Sequence, residues 1–338
     1  MARQSPAAMT TTDRRAAMGH AYRNAAIWAI GNGLVSTTLV SYLARRLGAD
    51  AVAISWIIAA PYLVGVLRVF APALANRLGD RKRFCVFMYA ASGLVLFAIP
   101  VVCAPGVLRN AAQSLVALIA LWCGYHLLEY LATVVLWSWL GDLVPPRIRG
   151  RFIGRRERAL TLARIGGLLA SGQIADRWKA AHESDPATHW IGYAIAAALG
   201  AAMLIAAVVP LTRLPNVGPS TATNAPVRTK LWSSFVPLVD RRYRALMVFG
   251  CWFSFTNGLA QAPQFLFQES VLALSITSVL VMQTVMRLGQ SAVSPTLGRI
   301  ADNGRGVPMM MASEFVVALS TPFFYAAARG SPIWIAGA

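Results

Sequence analysis

Acidic side chains are scarce in this chain. Only 13 Asp and Glu occur in 338 residues, against 31 Lys and Arg, and charged residues of both signs make up 13%. That is about half the share usual in soluble domains, and alongside 57% hydrophobic residues it excludes an ordinary water-soluble globule. Histidine is scarcer still: His20, His126, His182 and His189 are the whole set, and no HExxH, GxSxG or phosphate-loop spacing occurs. The acids and histidines are scattered rather than gathered near one interface, so neither an enzyme nor a bound cofactor is expected. The cysteines (Cys85, Cys103, Cys123, Cys251) form no CxxC pair and lie in apolar stretches, where they read as small buried residues rather than metal ligands. Residues 1–24 lack a short apolar core followed by a small-residue cleavage site, so they read as a disordered cytoplasmic tail with no signal peptide.

What is present is a series of apolar stretches, each near the roughly 20 residues that cross a hydrocarbon core of about 30 Å. They fall at 25–43, 51–75, 84–105, 114–140, 159–175, 190–211, 245–267, 271–297 and 307–328. The fifth is the weakest, being short and carrying Arg164 and Gln173. A tenth begins at Pro332 and stops after a few residues, which reads as the truncation of a longer protein. The expected fold class is an all-α polytopic membrane protein with about nine complete transmembrane helices and a truncated tenth.

The net charge of +18 invites a nucleic-acid reading, which its distribution argues against. With the N-terminus inside and the spans alternating, the inner segments carry 22 Lys and Arg and the outer segments six. This is the positive-inside bias of an integral protein of the cell (inner) membrane. Basic tracts such as Arg147 to Arg158 suit anionic lipid headgroups. The longest polar stretch, 212–244, holds Pro215, Pro219 and Pro226 and reads as a cytoplasmic linker. It separates a six-helix bundle at 25–211 from an incomplete second bundle at 245–338.

Three tetrads organise the chain: Leu74-Ala75-Asn76-Arg77, Ile174-Ala175-Asp176-Arg177 and Ile300-Ala301-Asp302-Asn303. Each closes an apolar stretch. The first and third lie 226 residues apart and the first and second 100 apart. Asn32-Gly33 and Asn257-Gly258 repeat at nearly the larger spacing. Such spacing fits parallel halves built from three-helix units of inverted topology.

On these residues the chain resembles the major facilitator superfamily of membrane transporters, whose loop between helices two and three reads Gly-x-Leu-Ala-Asp-Arg-x-Gly-Arg-Arg. Here Pro72-Ala73-Leu74-Ala75-Asn76-Arg77-Leu78-Gly79 forms the first copy and Gly298-Arg299-Ile300-Ala301-Asp302-Asn303 a shorter second one. Pro145-Pro146-Arg147-Ile148-Arg149-Gly150-Arg151 is similar to a further family element. The resemblance implies a two-bundle fold and a conformational latch at Asn76, Arg77, Asp176, Arg177 and Asp302. Asn76 stands where the family has Asp, so the first latch is expected to be weaker. The simpler alternative is that these residues cap helices at a polar interface.

Ionisable residues inside spans are costly and mark pathways or partners. Glu129 lies near the middle of the fourth span, with His126 one turn away on the same face. The resemblance puts helices one, four, seven and ten around a central cavity, which would gather Glu129 and His126 with Asn32, Asn257 and Gln261. Glu129 is expected to couple protons or bind substrate, with His126 tuning it; the alternative is a structural ion pair with an Arg on another helix. Arg287, mid-span, is expected to hold an anionic substrate or to pair with Glu129, whereas Arg68 and Arg164 are expected to reach headgroups or cytoplasmic carboxylates. Trp56, Trp137, Trp139, Trp190 and Trp232 read as interfacial anchors. Ala194, Ala198, Ala202 and Ala206 read as a close-packing stripe.

The expected function is secondary active transport of a small solute by alternating access, with proton coupling, by a monomer in contact with lipid. A non-transporting receptor or assembly partner of the same fold is the alternative.

Overall fold

The computed structural model describes residues 10–216, 247–255 and 274–302, together with positions 240, 241, 244, 245, 267, 268, 272 and 312. Among the described residues the secondary structure is helical and no strand occurs. The elements are α1 (Thr11–Leu34), α2 (Thr37–Arg46), α3 (Ala51–Gly65), α4 (Ala71–Leu78), α5 (Arg81–Val102), α6 (Ala111–Leu143), α7 (Arg149–Ala181), α8 (Trp190–Ala206), α9 (Val208–Thr212) and α10 (Ile276–Asp302). Short 3-10 turns join α3 to α4, α6 to α7 and α7 to α8. Residues 247–255 are helical as well.

The starts of these helices are written in their caps. Thr10, Ser36, Asp50, Asp80 and Asn110 each accept a hydrogen bond from a backbone N–H in the first turn that follows. Asp13 answers Thr10 to complete a capping box. Some of the few acids in the chain thus start helices.

Five helical stretches are long and apolar enough to cross a membrane: Thr11–Arg46, Ala51–Leu78, Arg81–Val102, Ala111–Leu143 and Trp190–Thr212. The protein is an integral membrane protein. Helices α7 and α10, at 33 and 27 residues, have the length but not the hydropathy. Arg164, Gln173 and Asp176 interrupt the first of these, and Gln283, Arg287 and Gln290 the second. These two polar helices pack antiparallel against one another along their whole length. Each hides part of the other's polar face, which lipid could not solvate.

Several expectations are corrected. The segment read as a disordered tail through residue 24 is helical from Thr11, because its capping box starts a helix whose Ala17, Ala21 and Asn24 are buried. The Asn24 amide donates to the Ala207 carbonyl at 2.8 Å. The first span breaks at Val35-Ser36, where Ser36 caps a new helix. The weak fifth span is a 33-residue helix, about 50 Å long, that includes the basic residues assigned to a loop. Trp139 is fully buried, with its indole N–H donating to the Pro215 carbonyl at 3.1 Å, and is no interfacial anchor. The alanine stripe of α8 holds at the buried Ala194 and fails towards the end of the helix. Ala202 and Ala206 are exposed, while Ala196, Ala197, Gly200 and Ala201 make the buried face. Most of the linker, the second part of span seven, span nine and the start of a tenth lie outside the described residues.

Lipid is as apolar as a leucine side chain, so helix association rests on close packing and polar contacts. Where α1 crosses α7, a methyl group on Gly33 would meet the Arg164 carbonyl at 2.4 Å, and one on Gly167 the Ile30 carbonyl at 2.2 Å. At the far end of the seam, one on Gly298 of α10 would meet the Gly150 carbonyl of α7 at 2.5 Å. Helix α3 is tied to α6 by a different device. Pro61 has no N–H to give the Ile57 carbonyl, and the Trp122 indole donates to that carbonyl instead, at 3.1 Å.

The Gly33–Gly167 crossing makes a direct prediction. Gly167→Ala should destabilise the protein by about 1–3 kcal/mol through overpacking, read as a lower thermal midpoint in detergent. Gly166→Ala, which adds its methyl to open space, should leave the midpoint equal or raise it. Equal behaviour of the two variants would contradict this crossing.

Candidate functional site

The polar interior is built outward from α6. Glu129, 5% exposed, accepts a hydrogen bond from the Thr133 hydroxyl at 3.1 Å, one turn further along the same helix. The Thr133 oxygen is 2.9 Å from the Tyr89 hydroxyl of α5. With Thr133 donating to the carboxyl, the tyrosine donates to Thr133, which makes a short hydroxyl relay between two helices. No ion pair within 4.0 Å holds Glu129 among the described residues. The structural ion pair offered as an alternative is therefore absent there. The charges of Arg164 and Arg68 nevertheless act on its carboxyl from α7 and from the turn joining α3 to α4.

His126 is 7% exposed and sits in an aromatic box. Trp122 is at 4.4 Å between ring centroids, Tyr125 at 4.7 Å and Tyr130 at 5.3 Å. Among the described residues neither ring nitrogen has a hydrogen-bond partner. Asn32, at the end of α1, reaches the same neighbourhood differently from the expectation: its amide donates to the Tyr125 hydroxyl at 3.2 Å. The α1 break just beyond it frees this part of the helix to present a polar group. Asn257 and Gln261 lie outside the described residues.

Of the span arginines, Arg164 and Arg287 are half-buried and Arg68 is exposed. The Arg68 guanidinium lies over the Tyr130 ring at 3.9 Å from its centroid, and that of Arg164 over Trp28 at 5.5 Å. Aromatic faces stabilise such cations by about 0.5–2 kcal/mol; this corrects the expectation for Arg164 and leaves that for the exposed Arg68 standing. Arg287 of α10 makes no ion pair with Glu129, and the charge that acts on it among the described residues is Arg164. The two open concavities beside Arg244, Val248 and Trp252, about 440 and 630 Å³, are mainly apolar and contain none of these groups.

The tetrads occupy helix ends. Asn76 and Arg77 are exposed in the last turn of α4, which closes on Gly79 in the left-handed conformation. The charged contacts come just after: Asp80 caps α5, and Arg81 pairs with Asp142 at 2.7 Å. Asp176 of the second tetrad accepts a hydrogen bond from the Thr277 hydroxyl in the first turn of α10. Arg177 is exposed beside it. Asp302 ends α10, with its side chain outside the described residues. Near Asp176, the Tyr42 hydroxyl donates to the Leu274 carbonyl at 2.8 Å, and Gln283 donates to Thr38 at 3.0 Å.

A family model for the Major Facilitator Superfamily matches residues 24–338. The chain belongs to that superfamily. No curated protein matches it. Major facilitators are in general transporters of small solutes and not enzymes, and the buried polar groups on α1, α5, α6, α7 and α10 suit that role. In this facilitator the residues that the sequence left unmarked are Tyr89, Tyr125 and Thr133. Thr133 could have been found from its i+4 spacing to Glu129. Tyr89, 44 positions away from its partner, carries no such local signal.

The Asp176–Thr277 contact is testable by a double-mutant cycle with Asp176→Asn and Thr277→Val. A hydrogen bond to a charged group predicts a coupling of about 1 kcal/mol or more in thermal stability. Additive effects of the two substitutions would remove Asp176 from the seam between α7 and α10.

Proposed function

We propose that this protein is a secondary active transporter that works by alternating access, with Glu129 as its proton-coupling carboxyl. The carrying observation is a buried acid without an ion-pair partner among the described residues, joined by hydroxyls to a second helix and flanked by arginines from two more elements. A structural acid in such a place would be neutralised by a close cation, because an unpaired charge inside a membrane protein is costly. A carboxyl that gains and loses a proton during a cycle has a use for neighbours near enough to bias it and too far to lock it.

In this reading the solute enters between two bundles and meets Glu129, His126, Asn32 and Arg287 at the midplane. Asn257 and Gln261 complete the lining from the seventh span. The ends of α7 and α10 separate in turn at the Asp176–Thr277 side and at the Gly150–Gly298 side. Asn76, Arg77, Arg177 and Asp302 belong to the latches that bias this motion. The N-terminus lies in the cytoplasm, with the basic segments on the inner face against anionic lipid. The protein acts as a monomer.

Uptake of a transported solute into vesicles, driven by an imposed pH gradient, tests the reading. Wild-type protein should accumulate solute above equilibrium, and Glu129→Gln should abolish that accumulation while leaving passive exchange measurable. Thr133→Val, which removes the donor to the carboxyl, should shift the pH dependence without erasing it. Undiminished pH-driven accumulation by Glu129→Gln would refute the role of Glu129. A protein that binds its ligand and moves nothing would instead be a receptor or assembly partner on the same fold.

A further inference from the structure

The contacts along the α7–α10 seam set a register. Thr277 meets Asp176 and Gly172 at one end, Ser294 and Pro295 meet Gly154 near the other, and Gly298 meets Gly150 beyond. Antiparallel continuity between these points puts Arg287 level with the turn Thr161–Arg164. Two arginines therefore share one level of the seam from opposite helices, and the charge of Arg164 acts on Arg287. Both have a buried Nε without a hydrogen-bond partner.

Among the described residues no acid lies within ion-pair distance of either guanidinium. Among the described residues none acts on Arg287. Arg164 feels the charges of Glu129 and Glu157 but is in ion-pair contact with neither, and Glu157 lies 3.6 Å from Arg156. Trp28 covers one face of the Arg164 guanidinium and leaves its edge available for hydrogen bonding.

We propose that Arg164 and Arg287 together bind the anionic head of the transported solute, a small organic anion bearing a carboxylate or phosphate group. Like charges facing each other across a helix seam repel, and an anion between them turns that repulsion into two attractions. The guanidinium fork matches both head groups in bidentate geometry. The proposal rests on the transport reading for the identity of the solute, while the clamp itself needs no transport.

The test measures thermal stabilisation of the purified full-length protein by lactate, succinate, citrate, inorganic phosphate and glycerol phosphate, with sorbitol as the uncharged comparison. At least one anion should raise the midpoint by several degrees, and sorbitol should not. Its apparent affinity should fall by about 10-fold or more in Arg164→Gln and in Arg287→Gln, the loss expected for a charge-assisted contact. Exposed Arg109→Gln should bind as wild type. Arg164→Lys and Arg287→Lys keep the charge and lose the fork, so each should bind with intermediate affinity even if a Gln variant folds poorly. Stabilisation by none of the anions, or by one that binds the arginine variants equally well, overturns the proposal. Vesicle uptake run in parallel separates the two ideas. An anion that binds through the arginines and is not carried sinks the transport reading and leaves the clamp. An uncharged solute that is carried, with no anion bound, sinks the clamp and leaves transport.

Discussion

The structure depends on one constraint: a polar helix in a membrane must be hidden by another helix. Helices α7 and α10 carry too many charged and amide side chains to stand in lipid, and they satisfy the constraint by covering each other. Glycines make the cover close. Their missing side chains let α7 approach α1 at Gly33–Gly167 and α10 at Gly154 and Gly298. With α7 wedged between these two neighbours, Arg164 lies over Trp28 on one side and level with Arg287 on the other. Loosening that packing would leave both arginines without their surroundings.

The same constraint explains the treatment of the few acids. Asp50 and Asp80 sit at helix starts, where backbone N–H groups need acceptors, and Asp142 pairs with Arg81. Asp176 bridges α7 and α10 through Thr277. Glu129 differs from all of these because it is buried away from any helix end and held by hydroxyls alone. That difference, more than its depth, distinguishes it as the group with chemical work to do.

Much of the fold was legible in the sequence because apolar length is a strong signal. Five of the apolar stretches coincide with candidate spans, and the family resemblance read from the tetrads agrees with the match across residues 24–338. Glu129 stood out as an acid inside an apolar run. Helix α7 was read too short because hydropathy treats Arg149 to Arg158 as loop, whereas backbone hydrogen bonding continues through them. Arg68 and Arg164 were sent to headgroups by their distance from span ends. The aromatic faces they lie over come from other helices, at Tyr130 and Trp28, and no local pattern announces such pairings. Trp139 was misplaced for the same reason, since its partner Pro215 is 76 residues away.

The account treats the α7–α10 seam as the element that opens alternately at its two ends. Distances between spin labels at Arg151 and Arg299, near one end, and at Lys179 and Ser275, near the other, test this most directly; all four positions are exposed. Saturating solute should shift the two distance distributions in opposite senses, one pair lengthening as the other shortens. Two unimodal distributions that both stay fixed, in a protein shown to bind its solute, would contradict alternating access along this seam.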